Sequence, residues 1–393
     1  MNRVIIRNGI LVSGSSAMEA DIRIDGGRIG RIDRQLAKRP VEVEIDARGY
    51  YVFPGLINSH DHLEFNLYPR LGAPPYANAY EWGRDVHARS ADVIRSVESV
   101  PVRLRLWWGA WKNLFSGVTF VIHHGIVPFF YRRGLPVGTL RLYSIAHSLK
   151  FDEDIERSIK KRKPGRPFII HVAEGTDNVA AGEIRELYGL GGLDRDTVAV
   201  HSVAAANGDA ELLATSGASV VWCPSSNLFL FGATAPIHEY LPRTRVALGT
   251  DSSLTGVPTL FEELRLAHEW SGLPSDALFR MVTTTPREIF GLPAGTGELI
   301  EGGPADLFLL AQKHTEPIEQ LLSCEPRDVA LLLRRGRPVL WDSDFRERIP
   351  GNDSPSVRIQ GRAKFIADRR FPERFRAIRH RMQHYWYFSD VDS

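Results

Sequence analysis

Between residues 54 and about 299 the chain alternates short apolar runs with helical stretches, and that alternation restricts it to an α/β architecture built on parallel strands. The strand candidates are PGLINSH (54–60), GVTFVIHH (117–124), TLRLYSIAH (139–147), PFIIHV (167–172), TVAVHSV (197–203), ASVVWCPS (218–225) and RVALGTD (245–251). The later ones recur every 20 to 30 residues or so, the length of one strand plus one helix. An eighth strand has to fit within GIVPFFYRRGLPV (125–137), which is too short for an ordinary helix and strand, so an abbreviated third unit is expected. Segments 258–270 and 274–292 read as helices, each opened by a proline.

The two ends have another texture. Residues 1–53 and 300–360 carry β-branched residues, partial alternation and glycine-containing turns. Two small all-β pieces at opposite ends gain by pairing into one sheet or sandwich. The expected organisation is therefore a composite β-sandwich from 1–53 and 300–360, a (β/α)8-type barrel over 54–299, and a helical tail over 361–393.

The formal charge of +2 gives no reason to expect nucleic acid or an anionic membrane as partner. The two cysteines, Cys223 and Cys324, lie far apart with no CxxC pattern, which disfavours a disulfide framework or a cysteine-ligated zinc site and suits a reducing compartment. The first residues have charges inside their apolar run, and no stretch approaches the roughly 20 apolar residues of a membrane span. A soluble cytoplasmic protein is expected, acting on a small molecule as a homodimer or higher homo-oligomer.

His60 and His62 are alternate residues of one strand, so both imidazoles face one side, at the strand's C-terminal end. In barrels of parallel strands that end is where reactive groups gather. Alone the pair is a weak signal, and surface or core histidines are the readier explanation. His171 and His201, however, lie late in two later apolar strands, and Asp251 ends the last. Each singly reads as a satisfied strand end or helix cap. Together, four imidazoles and a carboxylate brought to one mouth suit a divalent metal of the zinc type, with iron also accepted by such ligands.

The ordered set PGLINSHDH, HVAEG, VAVHSV, VVWCPSSNLFLFG and VALGTDSS, followed by TPREIFGL and GTGELIEGGPADLFLL, resembles the amidohydrolase superfamily, and within it the deaminase and chlorohydrolase-like branch. The resemblance covers nearly the whole chain. It implies a TIM barrel and one divalent metal held by His60, His62, His171 and Asp251, with a position left for water whose pKa the cation lowers towards about 7. It also implies a proton-carrying Glu174, an oxyanion-bonding His201, and Asp251 as a further proton acceptor. Lys150 lies beyond its strand's end, where no carboxylated bridging ligand would form, so one metal is expected rather than two.

At the rim, His147 falls near where deaminase-like relatives place a substrate-contacting histidine, with packing as the alternative. His123 and His124 close the second strand. Glu64 is a candidate for a cationic substrate group, or a solvated carboxylate. Tyr76, Tyr80 and Trp82 sit in a proline-rich loop that would stack a planar substrate or pack on the rim, while Ser226 and Asn227 follow the seventh strand as pocket residues. The short third unit and the His-Asp-His-Leu-Glu context argue against the usual nucleobase substrates. The leading expectation is hydrolytic deamination of an amino-substituted ring. Amide or C–Cl hydrolysis is the close alternative, and a catalytically silent binding protein the distant one.

Overall fold

Eight parallel strands run through the middle of the chain: β1 (Leu56–Asp61), β2 (Val118–His123), β3 (Gly138–Thr139), β4 (Ser144–Ser148), β5 (Phe168–Val172), β6 (Thr197–His201), β7 (Ser219–Trp222) and β8 (Val246–Leu248). The computed structural model describes residues 3–14, 16–349, 353–382, 385 and 388–392. β4 to β8 pair in chain order, as do β1 to β3. The two runs meet where Asp61 bridges Asp251 in parallel: the Asp251 N–H donates to the His60 carbonyl at 3.0 Å and the His62 N–H to the Asp251 carbonyl at 3.3 Å. The last strand thus lies beside the first. Every residue of β1, β5, β6, β7 and β8 is buried, which is why these segments read as continuous apolar runs rather than alternating ones.

The abbreviated third unit is a four-residue helix, Phe129–Arg132, followed by the two-residue β3. Here the expected single strand over 139–147 is corrected. Thr139 pairs with Val121 on one side, whereas Ser144 pairs with Phe168 on the other, so the segment divides into β3 and β4. Its alternation was misleading because Leu142 between them is exposed.

Four helices position the site: α1 (Val102–Leu114), α2 (Asn178–Gly189), α3 (Pro224–Phe231) and α4 (Leu260–Ser271). The side chain of Asp177 caps α2, and Thr259 with Glu262 forms a capping box at α4. In α1, a Cβ on Gly109 would come within 2.2 Å of the Leu63 carbonyl oxygen, so only glycine lets this helix lie directly against the turn that follows β1.

Both chain ends join one eleven-stranded sheet, in which Tyr50–Pro54 pairs antiparallel with Leu307–Ala311. The segment 361–393, expected to be helical, contributes the strands Arg362–Ile366 and Phe388–Asp392 to that sheet around one helix, Phe371–Ile378. That helix docks Phe371 on Trp107 and Trp111 of α1, with ring centroids 5.0 Å apart in each case. No helix among the described residues is long and apolar enough to cross a membrane.

Candidate metal centre and its carboxylate

The C-terminal ends of β1, β5, β6 and β8 bring His60, His62, His171, His201 and Asp251 together, all buried. His60 Nε2 and His171 Nε2 are 3.2 Å apart, and Asp251 Oδ1 lies 3.7 Å from His60 Nε2 and 3.6 Å from His62 Nε2. Two overlapping groups, His60 with His171 and His201, and His60 with His62 and Asp251, each hold their donor atoms within 4.8 Å of one another. Asp251 Oδ2 accepts hydrogen bonds from Ser226 Oγ and Thr255 Oγ1, both at 2.8 Å, which leaves Oδ1 turned to the imidazoles.

Burial holds His62 and His171 well below the ordinary histidine range. Burial also pushes the Asp251 carboxyl up, but the neighbouring His60 and His62 outweigh this and keep it below the usual carboxylate range. Neutral imidazoles around an ionised carboxylate are the protonation state that a divalent cation requires of its ligands. The donor set fits such an ion.

Ala173, His201, Ser202 and Asp251 all have positive φ, between 49° and 73°. Four non-glycine residues in the left-handed region at the ends of β5, β6 and β8 are the kind of strain that accumulates at functional sites.

Glu174 follows β5, with Oε1 3.6 Å from His201 Nε2. Burial, reinforced by Asp251 and Glu183, raises its carboxyl well above the ordinary range. Burial brings His201 down to about 3, so its ring is neutral. Asn227 Nδ2 donates to His201 Nδ1 at 2.8 Å, so the ring's one proton sits on Nε2, facing Glu174. The turn bearing Glu174 is held on both sides. The Ala173 N–H donates to Glu183 Oε2 at 2.7 Å, and the Ala79 N–H to the Glu174 carbonyl at 3.0 Å.

A profile of the Amidohydrolase family matches residues 146–339. A 5-methylthioadenosine/S-adenosylhomocysteine deaminase of Pyrococcus furiosus is 25% identical over 413 aligned positions, covering 87% of this chain and 96% of that protein. A 5'-deoxyadenosine deaminase of Methanothrix thermoacetophila is also 25% identical, covering 86% and 92%. The fold is shared with an adenosine deaminase from Xanthomonas campestris solved with bound zinc, at a TM-score of 0.69, 18% identity and coverage of 96% and 97%.

Over residues 146–339 and along most of its length the chain is similar to members of the amidohydrolase superfamily.

Around this centre the rim candidates separate. The His147 side chain is exposed, with its ring 5.0 Å from that of His171 and 5.1 Å from Phe151. Glu64 Oε2 lies 3.6 Å from His123 Nδ1. Trp82 lies in the helix Ala79–Arg89, and its indole N–H donates to the Leu71 carbonyl at 3.0 Å. Tyr76 bonds Asp85, and Tyr80 bonds Glu183 while its ring packs 4.9 Å from Phe151. Lys150 is exposed and pairs with Glu186 at 3.8 Å.

His124, a marginal candidate in the sequence, is part of the cluster. Its ring stacks on His171 at 4.2 Å, and its Nε2 bonds the Ala146 carbonyl at 3.1 Å. Sequence reasoning missed a buried polar set behind β1: Lys112, Asn113 and Asn66 around Asp61. The available signal was Lys112-Asn113 interrupting the apolar run of α1. Glu183 and Glu263 were missed as well. Glu263 is fully buried and bonds the Ser225 N–H at 2.9 Å, and burial pushes its carboxyl up to about 8.

Proposed function

We propose that this chain is a zinc hydrolase that deaminates an amino-substituted heterocycle, with His60, His62, His171 and Asp251 holding the metal at the mouth of a closed (β/α)8-type TIM barrel. The ends of the chain would form a β-sandwich beside that barrel, and Ile126, Phe129, Phe130 and Leu142, exposed around the short third unit, would meet a second copy. The two buried, free cysteines accord with a cytoplasmic setting.

One observation carries the reading: Glu174, its carboxyl raised well above the ordinary range by burial, stands 3.6 Å from a His201 ring whose own proton faces it, beside the neutral His62 and His171. The cation, when bound, supplies an acidified water as nucleophile. The chain's residues do the rest. His201 Nε2–H donates to the oxygen growing on the attacked carbon. Asp251, ionised and anchored through Oδ2, can take a proton from the nucleophile. Glu174 gives its proton to the departing nitrogen, so that a ring C–NH2 and water become the ring carbonyl and ammonia. Chloride leaves without needing a proton, so a protonated Glu174 favours nitrogen as the leaving atom.

The substrate we infer is an adenine ring on a 5'-modified ribose, because the relatives aligned along most of the chain are named for 5-methylthioadenosine, S-adenosylhomocysteine and 5'-deoxyadenosine. This runs against the expectation drawn from the short third unit, which relatives with adenosine-type substrates outweigh. The test is ammonia release from 5'-deoxyadenosine, 5-methylthioadenosine, S-adenosylhomocysteine and adenosine, set beside cyclic and linear amides. Turnover confined to amides would overturn the assignment.

A further inference from the structure

Asp61 stands between His60 and His62, and its carboxylate turns to the other side of the strand, where it meets a lysine as buried as itself. Lys112 Nζ reaches three acceptors: Asp61 Oδ2 at 3.0 Å, Asn66 Oδ1 at 3.0 Å and Thr250 Oγ1 at 3.4 Å. An ammonium has three protons, so none is left over. Asp61 is equally occupied. Oδ2 also accepts from Asn113 Nδ2 at 2.7 Å and Asn58 Nδ2 at 3.3 Å, and Oδ1 from Asn66 Nδ2 at 2.7 Å.

The far side of this set is the end of β8. Asn58 donates through Nδ2 to Thr250 Oγ1 at 2.8 Å and accepts the Thr250 N–H through Oδ1 at 3.1 Å, while Asn66 Oδ1 accepts the Ser253 N–H at 3.1 Å. Thr250 immediately precedes Asp251. A buried ion pair is no cheap route to stability, since apolar residues of similar volume do as well or better. A fully satisfied network does confer one fixed geometry.

We propose that Lys112 is a positioning residue of the metal centre: through Asp61, Asn66 and Thr250 it locks the strand carrying His60 and His62 against the segment carrying Asp251, at the separation a cation needs. The inference rests on the ligand assignment proposed above. Groups that orient metal ligands typically cost ten- to a hundred-fold in metal affinity when lost.

The test measures zinc affinity by chelator competition, alongside the melting temperature of the metal-free protein. Zinc binding by the unaltered chain tests the ligand assignment itself. If that chain binds none, the assignment fails, and the inference with it. In the double variant Asp61→Asn/Lys112→Met both charges leave together, so no orphaned charge remains to unfold the core. The expected result is a melting temperature near that of the unaltered chain with zinc held at least about ten-fold more weakly. Thr250→Val keeps the ion pair and removes the hydroxyl through which Lys112 and Asn58 reach the end of β8, and it serves if the double variant does not fold. It should weaken zinc several-fold at unchanged melting temperature. Unaltered zinc affinity in either folded variant would overturn the proposal while leaving the ligand assignment intact.

Discussion

Asn227 donates to His201 at 2.8 Å, and that single bond decides which nitrogen of His201 carries the proton. The amide donor occupies Nδ1, so Nε2–H is directed at Glu174 and the space beside the imidazole cluster. Asn227→Ala should lower kcat by up to about 10²- to 10³-fold, the scale of losing the donor that it orients. Asn227→Asp should be worse, because a carboxylate accepts from Nδ1–H and strips Nε2 of its proton. Steady-state rates of the two variants at equal metal content check this, and an aspartate variant more active than the alanine one would contradict it.

Glu174→Gln keeps the shape of the side chain and removes the transferable proton. Turnover should fall by about 10²- to 10⁴-fold, while zinc content stays that of the unaltered chain. Elemental analysis and ammonia release on the same preparation measure both. A fully active glutamine variant would remove Glu174 from the mechanism.

Gly175 lies where the loop after β1 crosses the Glu174 turn. A Cβ there would stand 2.6 Å from the Ala77 carbonyl oxygen and 2.8 Å from Asn78, both largely immovable backbone. Gly175→Ala should therefore displace the turn and cut kcat/KM by at least about ten-fold, since even a 1 Å misplacement can cost about a hundred-fold. Zinc should be retained, because the four ligands lie on other segments or before the turn. Loss of the metal together with activity would show instead that the whole mouth had collapsed.

Glu263 gives a pH signature in stability. Its carboxyl titrates at about 8 in the fold, against roughly 4.3 in an unfolded chain. Between those values the folded state binds more protons than the unfolded one, so this group's contribution falls as pH rises from about 4 to about 8 and is flat above. The full span is on the order of 5 kcal/mol. Glu263→Gln does not titrate. Its melting temperature, measured with saturating zinc at pH 6 and pH 9, should gain several degrees on the unaltered chain over that interval. A difference independent of pH would show that Glu263 is ionised throughout.

What could be read before the structure and what could not divide along a physical line. His60, His62, His171, His201 and Asp251 were legible because each ends an apolar parallel strand, and such ends meet at one mouth whatever the helices between them do. The division of 139–147 into two strands was not, because two residues of β3 carry no periodicity and Leu142 mimics a buried position. The strands of the tail were hidden by charge. Lys364, polar in sequence, is buried and donates to the Arg327 and Val329 carbonyls at 2.7 and 2.6 Å. Lys112 and Asp61 lie 51 residues apart, so their contact is a property of the folded chain alone. Sequence left Trp82 open between stacking a substrate and packing on the rim, because an aromatic near the mouth looks the same in either case; its indole N–H bonds the Leu71 carbonyl.

The proposed convergence of four side chains on one cation is tested most directly by metal content. Purified protein and its His171→Ala variant, analysed for bound metal after removal of loosely held ions, should give about one divalent ion per chain and less than about a tenth of one, respectively. An active, unaltered chain without metal, or a variant that keeps its full equivalent, would contradict the account.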